Sequence, residues 1–304
     1  MAQNDKEVKR RTGFQSLNHM LAFMVIVCNG DHDMMIYKST KLTWLEEWFF
    51  AFEYLWGRTI SRWWDAEAEM NINRQATLII FRTKLDMIKA CRESWPRYAS
   101  YNEDFALMKD KWKEKYKGKR VVMWDDTNVN LAYKPSGADE QRLTFSVYYS
   151  SNCCKGGVFL QLCGYTGVEH LWVGATSDSH YQEHTEIFEK QHTFAMNDLV
   201  DAVHIAFTNI FDKGYRVILP AWRAGKQEVI QPIFARSDRK FTGRETIHSA
   251  SVATDRSGNE RAVNRCKLSG FIKRGLQKNG NPKLLNNAWL AWSFQTNFMY
   301  CSVL

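Results

Sequence analysis

Three carboxylates and a run of basic side chains are the residues of this chain that could do chemistry together. Glu260 stands in the stretch Arg256-Ser257-Gly258-Asn259-Glu260-Arg261-Ala262-Val263-Asn264-Arg265-Cys266-Lys267, which mixes acid and base at helical spacing. Ser257 and Gly258 can start a helix, which sets Glu260 near the positive end of the helix dipole and Arg261 and Arg265 one turn apart. A solvated surface helix has the same look. The stretch becomes informative beside two earlier acids, Asp125 and Asp212, each read as the end of a short apolar strand: Val121-Val122-Met123-Trp124 and Ile210-Phe211. Carboxylates at the ends of adjacent strands converge on one spot, and a helix laid over them adds a third. Three hard oxygen ligands suit Mg²⁺ or Mn²⁺, and two such ions roughly 3.5–4 Å apart can activate a nucleophile and stabilise the leaving oxygen of a phosphodiester. Spacing alone is a weak signal, because 33 acidic residues offer many such triples.

Other catalytic patterns are missing. The 304 residues hold no Gly-rich phosphate loop ending in Gly-Lys-Ser/Thr, no GxSxG elbow, no His-Glu-x-x-His and no Gly-x-Gly-x-x-Gly. The seven Cys are scattered without a CxxC or a Cys/His zinc spacing, which reads as reduced thiols inside a cell. No secretory leader is recognisable at the start, and the apolar run Leu21 to Cys28 is too short to cross a bilayer, so no membrane is expected. A net charge of +8 favours a polyanionic partner. Part of that excess lies in residues 213–283, among them Arg216, Arg223, Lys226, Arg236, Arg239, Lys240, Arg244, Lys267 and Lys278.

The elements that must position these groups fall into two kinds. Residues 1–39 read as a charged arm and an apolar segment. Over residues 40–96 apolar residues at spacings of three and four mark a helix ending at Gly57, a second from Ser61 to Glu69 with Trp63 and Trp64 inward, and a third capped by Asn73. Three helices with a short turn before the last make a helix-turn-helix shape, in which Arg74, Gln75 and Thr77 would face base edges. Residues 97–118 are a charged connector. From 119 to 304 the period changes: strands are expected over Val121–Trp124, Leu143–Tyr149, Gly156–Cys163, Leu171–Val173, at Ile210-Phe211 and over Glu228–Ile233. Helices are expected over Glu183–Lys190 and Asp198–Phe207, and over Phe241–Leu276 with a break near Ser257-Gly258. The expected class is α/β, a mixed sheet flanked by helices after a mainly helical N-terminal domain.

In four places the chain resembles the Harbinger-type group of DDE transposases. Trp124-Asp125-Asp126-Thr127 is similar to that group's Asp-x-Thr. Gly174-Ala175-Thr176-Ser177-Asp178 is similar to its Gly-Ser-x-Ser-Asp, and Phe211-Asp212-Lys213-Gly214-Tyr215 to its Asp-x-Gly-Phe/Tyr. Asn259 to Lys267 is similar to its Glu-Arg-x-x-x-Arg-x-Lys. The likeness covers roughly residues 119–275 and implies an RNase H-like catalytic domain. The metal-holding, catalytic triad would be Asp125, Asp212 and Glu260, with Asp126 a competitor of Asp125 and Asp178 an accessory acid. Arg261, Arg265 and Lys267, with Arg239, Lys240 and Arg244 as a second group, would hold DNA phosphates. The implied activity is cleavage of element ends by a metal-activated water and joining of the 3′-hydroxyl to target DNA, with two Mg²⁺ or Mn²⁺ ions. A domesticated, inactive relative that binds DNA or protein is the alternative. Partners implied are DNA, a separate DNA-binding protein and further copies of the chain; the place would be the nucleus of a eukaryotic host, otherwise the cytoplasm.

Overall fold

The computed structural model describes residues 4–31, 33–34, 38–60, 62–200, 203–215, 227–234, 238–276 and 280–299. The chain divides into two units. One is helical and gathers residues 1–97, 129–134 and 265–301; the other contains the sheet and spans 98–128 and 135–264.

The sheet unit is built on β1 (Arg120–Asn130), the middle strand of the main sheet. On one side lies β3 (Ser151–Gln161), and on the other β8 (Phe207–Ile210) followed by β9 (Glu228–Ile230). β1, β8 and β9 are parallel neighbours. β2 (Phe145–Ser146), β4 (Thr166–Val168) and β5 (Trp172–Val173) pair antiparallel with β3. A separate pair, β6 (Leu199–Val200) and β7 (Val203–His204), is antiparallel. The result is a mixed α/β arrangement with helices against the sheet, in line with the expected class.

Alternation along β1 sends Val122 and Trp124 into one core with Phe159, Ile187, Phe207 and Phe211. A hydrogen-bonded chain runs through it: Trp124 Nε1 and Gln191 Nε2 each donate to Asn209 Oδ1 at 2.9 Å, and Asn209 Nδ2 donates to Gln227 Oε1 at 2.7 Å. One amide thereby ties β1, β8, the Ile187–Asn197 helix and the lead into β9.

Five element expectations are corrected here. The helix expected over Glu183–Lys190 is two helices, Asp178–His184 and Ile187–Asn197, parted at Glu186 with φ 52°. β1 does not stop at Trp124 but continues through both acids to Asn130. Leu143–Tyr149 is a strand only at β2: Ala138–Thr144 is helical, with Asp139 and Glu140 in its first turn, and after Ser146 the chain leaves the sheet, Val147 and Tyr148 standing almost fully exposed. Asp198–Phe207 is not a helix. Asp198 accepts from the Tyr101 backbone N–H and from buried Arg120, which holds it at a helix C-terminus, and the β-branched residues beyond it form β6 and β7.

The last correction concerns the late helix, which runs unbroken from Gly243 to Cys266. Its start is a capping box, with Thr242 N–H donating to Glu245 Oε2 (2.8 Å) and Glu245 N–H to Thr242 Oγ1 (3.3 Å). Val252, Asp255, Asn259 and Ala262, at spacings of four and three, are buried. Asp255 is held by Lys115 Nζ and the Tyr116 hydroxyl (2.6 Å). Ser257 and Gly258 therefore lie inside the helix, and Glu260 is far from its positive end.

In the helical unit the expected N-terminal helices form as Trp44–Trp56, Trp63–Met70 and Arg74–Ser94. Thr43 and Glu46 make a capping box, Gly57 ends the first helix at φ 66°, and Asn73 caps the third. Trp64 is 59% exposed rather than inward. Residues 5–12, read as an arm, are helical and anchored by Arg11 to Glu53 at 2.6 Å. The Pro282–Met299 helix belongs to this unit too, and Asn287 Nδ2 donates to Asp86 Oδ1 at 2.8 Å. Among the described residues no helix is long and apolar enough to cross a membrane.

Replacing Asn209 by Leu removes the acceptor of the Trp124 and Gln191 bonds and the donor to Gln227. Urea denaturation is expected to show a loss of about 2–4 kcal/mol; a loss under about 0.5 kcal/mol would mean the amide chain does not hold β1 to β8.

Candidate active site

Asp125 and Asp212 meet because their strands are in register. β1 and β8 pair Met123 with Ile210, the last residue of β8; Asp125 stands two residues further along β1, and Asp212 two residues past the end of β8. Parallel neighbours lie about 4.8 Å apart, so the two carboxylates share one corner of the unit.

A guanidinium stands between them. Arg256, on the Gly243–Cys266 helix, places Nη2 3.7 Å from Asp125 Oδ2 and Nη1 3.3 Å from Asp212 Oδ1. Both contacts are longer than the roughly 2.7–2.9 Å of a tight charge-assisted bond. Arg256 Nε is buried without a hydrogen-bond partner among the described residues. The side chains of Arg256 and Asp125 are 13% and 25% exposed, and that of Asp212 is 46% exposed, so the site opens to solvent at Asp212. Burial pushes Asp125 up from the ordinary 3.8 to about 6; Arg256 opposes the shift and the charges of Asp212 and Asp178 add to it.

Two more acids adjoin. Asp178 opens the Asp178–His184 helix and receives Lys155 Nζ at 2.5 Å. It packs on the turn after Asp212 so closely that a Cβ on Gly214 would come within 2.5 Å of Asp178 Oδ2. This close approach is the reason for a glycine there. Asp126 alternates to the opposite side of β1 from Asp125. Its Oδ1 accepts from Gln182 Nε2 at 2.9 Å, and burial, with the charge of Asp178, holds its carboxyl well above the usual range. Burial likewise raises the neighbouring Tyr215 hydroxyl, with the charge of Asp126 adding to the effect.

The third expected triad member is not gathered with these groups. Glu260 is exposed, one helical turn beyond Arg256. Among the described residues no three His, Cys, Asp or Glu side chains are grouped to hold a metal ion. Arg256 was not singled out from sequence, although it sits four residues before Glu260 in the stretch that drew notice. Gln182 also carried no recognisable spacing.

The expected DNA-contacting residues fall in both units. Arg261 is exposed on the late helix, whereas Arg265 and Lys267 are half-buried in the helical unit. The Arg265 carbonyl accepts from Trp292 Nε1 at 3.1 Å. Lys240 and Arg244 are exposed, and Arg239 is engaged by Glu245 through two bonds of 2.6 and 2.7 Å. Arg74 and Gln75 are exposed, but Thr77 is fully buried and its hydroxyl donates to the Arg74 carbonyl at 2.7 Å, which removes it from any reading surface. Arg216, Arg223, Lys226, Arg236 and Lys278 lie outside the described residues. No protein family, curated protein or solved structure compared with the chain matches it.

Because Asp125 binds its proton more tightly when folded, the native state carries the extra proton between about pH 4 and pH 6. Stability therefore falls as pH rises through that window. Asp125→Asn is expected to remove this slope, gaining about 1–3 kcal/mol on the parent between pH 4 and pH 7 in urea melts. Parallel pH profiles for the two proteins would refute the assignment.

Proposed function

We propose that the chain is a divalent-metal-dependent phosphodiester-cleaving enzyme of the DDE transposase kind, with Asp125 and Asp212 as the metal-holding pair. One observation carries the reading: two carboxylates, one on β1 and one just past the end of its parallel neighbour β8, are turned onto a single cation. The mixed sheet with helices against it is compatible with the RNase H-like fold that the sequence resemblance implies.

The donor chemistry fits a hard divalent ion. Asp125 and Asp212 supply the oxygens, and the loosely seated Arg256 with its partnerless Nε occupies the position a tighter cation would take. A divalent ion there would supply Lewis acidity and a more acidic bound water. Asp126, turned to the other side of β1 with its carboxyl pushed up by burial, does not compete with Asp125. Lys155 fixes Asp178 against the turn that follows Asp212, so that the turn presents Asp212 in one orientation. Displaced from the acids, Arg256 would offer its guanidinium to a phosphate oxygen. Glu260 completes a triad only by reaching back from the next turn. DNA as substrate, joining of ends, and a nuclear setting belong to this reading as well.

A second reading draws on the same guanidinium. With Arg256 as the permanent cation, the site is closed and the chain is an inactive relative that binds DNA or protein.

Nicking of supercoiled and linear duplex DNA in Mg²⁺, Mn²⁺ and EDTA separates the two. Metal-dependent nicking is expected for the parent, with losses of about 100-fold or more in Asp125→Asn and Asp212→Asn. Glu260→Gln should match those losses if it joins the metal site. Nicking that survives both Asp substitutions would sink the proposal. No nicking by the parent, with salt-sensitive DNA binding retained, would favour the closed site.

A further inference from the structure

The helical unit contains a cavity of about 490 Å³ bordered by Tyr54, Arg62, Trp64, Arg74, Phe271 and Arg274. Its volume is within the range of pockets that hold small organic ligands. Arg62 and Arg74 are exposed, and Arg274 is half-buried. Arg274 lies 5.5 Å from the Tyr54 ring centre and 5.7 Å from that of Phe271, and Arg62 lies 5.2 Å from that of Trp64. Asp65 is the opposing charge: it acts on Arg274, and its Oδ2 accepts the Arg62 backbone N–H at 3.0 Å. Three guanidiniums against one carboxylate leave the cavity positive.

The chemistry of the walls selects the ligand. Guanidiniums favour phosphate, which accepts paired N–H bonds. A bare phosphate, however, would leave the Trp64 indole and the apolar wall in water. An uncharged aromatic ligand would leave the exposed Arg62 and Arg74 guanidiniums in water. A group that joins a flat ring to a phosphate satisfies both, and a base on an aromatic face is a recurrent mode of nucleotide binding. From these walls we infer that the cavity binds a nucleoside phosphate, with the base against Trp64 and the phosphate on Arg62 and Arg74. This site lies within the helical unit and does not depend on the chemistry of Asp125 and Asp212.

The test is calorimetric titration of the full chain with deoxyadenosine 5′-monophosphate, deoxyadenosine and inorganic phosphate. The monophosphate is expected to bind about tenfold or more tightly than either half. Arg62→Gln and Arg74→Gln should each weaken it by about three- to tenfold. Trp64→Ala should weaken the monophosphate and leave inorganic phosphate unchanged. A single-stranded, 5′-phosphorylated oligodeoxyadenylate distinguishes the sources of the ligand. Tighter binding that the monophosphate displaces identifies a strand's nucleotide, and weaker binding identifies the free nucleotide; either supports the site. Three results overturn it: no monophosphate binding by the parent at millimolar concentration, inorganic phosphate binding as tightly as the monophosphate, or unchanged monophosphate binding in the folded Arg62→Gln/Arg74→Gln double variant. The first and second need no variant, so a folding defect cannot mask them.

Discussion

Parallel pairing of β1 with β8 forces two carboxylates together, and the site around them is arranged to tolerate that. Met123 opposite Ile210 closes the paired stretch, and Asp125 and Asp212 each follow two residues later. Like charges at that separation repel, and partial burial makes the repulsion dearer than it would be in water. Two responses are visible. Asp125 holds its proton to a higher pH, and Arg256 is brought between the acids. The second response explains why the late helix must be continuous. Asp255, fixed by Lys115 and Tyr116, sets the helix rotation, and the next residue is thereby turned toward the acids. A break at Ser257-Gly258 would leave the helix beyond Arg256 unanchored.

Much of this was legible in sequence, and what was not has a physical reason. Helices with an apolar stripe and a strong cap were readable: Thr43 with Glu46, Gly57 and Asn73 mark ends that form where expected. The continuity of the Gly243–Cys266 helix was hidden because its buried face carries Asp255 and Asn259, polar residues that periodicity counts as surface. Leu143–Tyr149 misled in the opposite way, with apolar residues at strand spacing that bury little. Pairing of Asp125 with Asp212 was legible as two strand-end acids. Their cation was not, because an arginine one turn from an acid looks like an ordinary surface pair.

Asp125 and Asp126 show how one residue of offset divides identical side chains. Alternation along β1 points the first toward Asp212 and Arg256, and the second toward Gln182 and Tyr215. Asp126 accepts from Gln182, lies near Tyr215, Lys155 and Asp178, and has its carboxyl raised by burial. Asp125 meets a cation and partial solvent, where ionisation is within reach of neutral pH. From sequence the two were rivals for one role; the backbone assigns them different ones.

The identity of the cation between Asp125 and Asp212 is the remaining degree of freedom, and the geometry bears on how easily it changes. The helix cannot shift without breaking the Asp255 anchor, but the Arg256 side chain is held by two long contacts and leaves Nε without a partner. Arginine side chains carry about 2 kcal/mol of rotamer entropy, which partly offsets the loss of such contacts when the side chain swings free. Of the two acids, Asp125 is held within β1, and Asp212 follows directly on β8. Exchange of one cation for another at this corner therefore asks for a rotamer change in Arg256 and leaves the fold as it is.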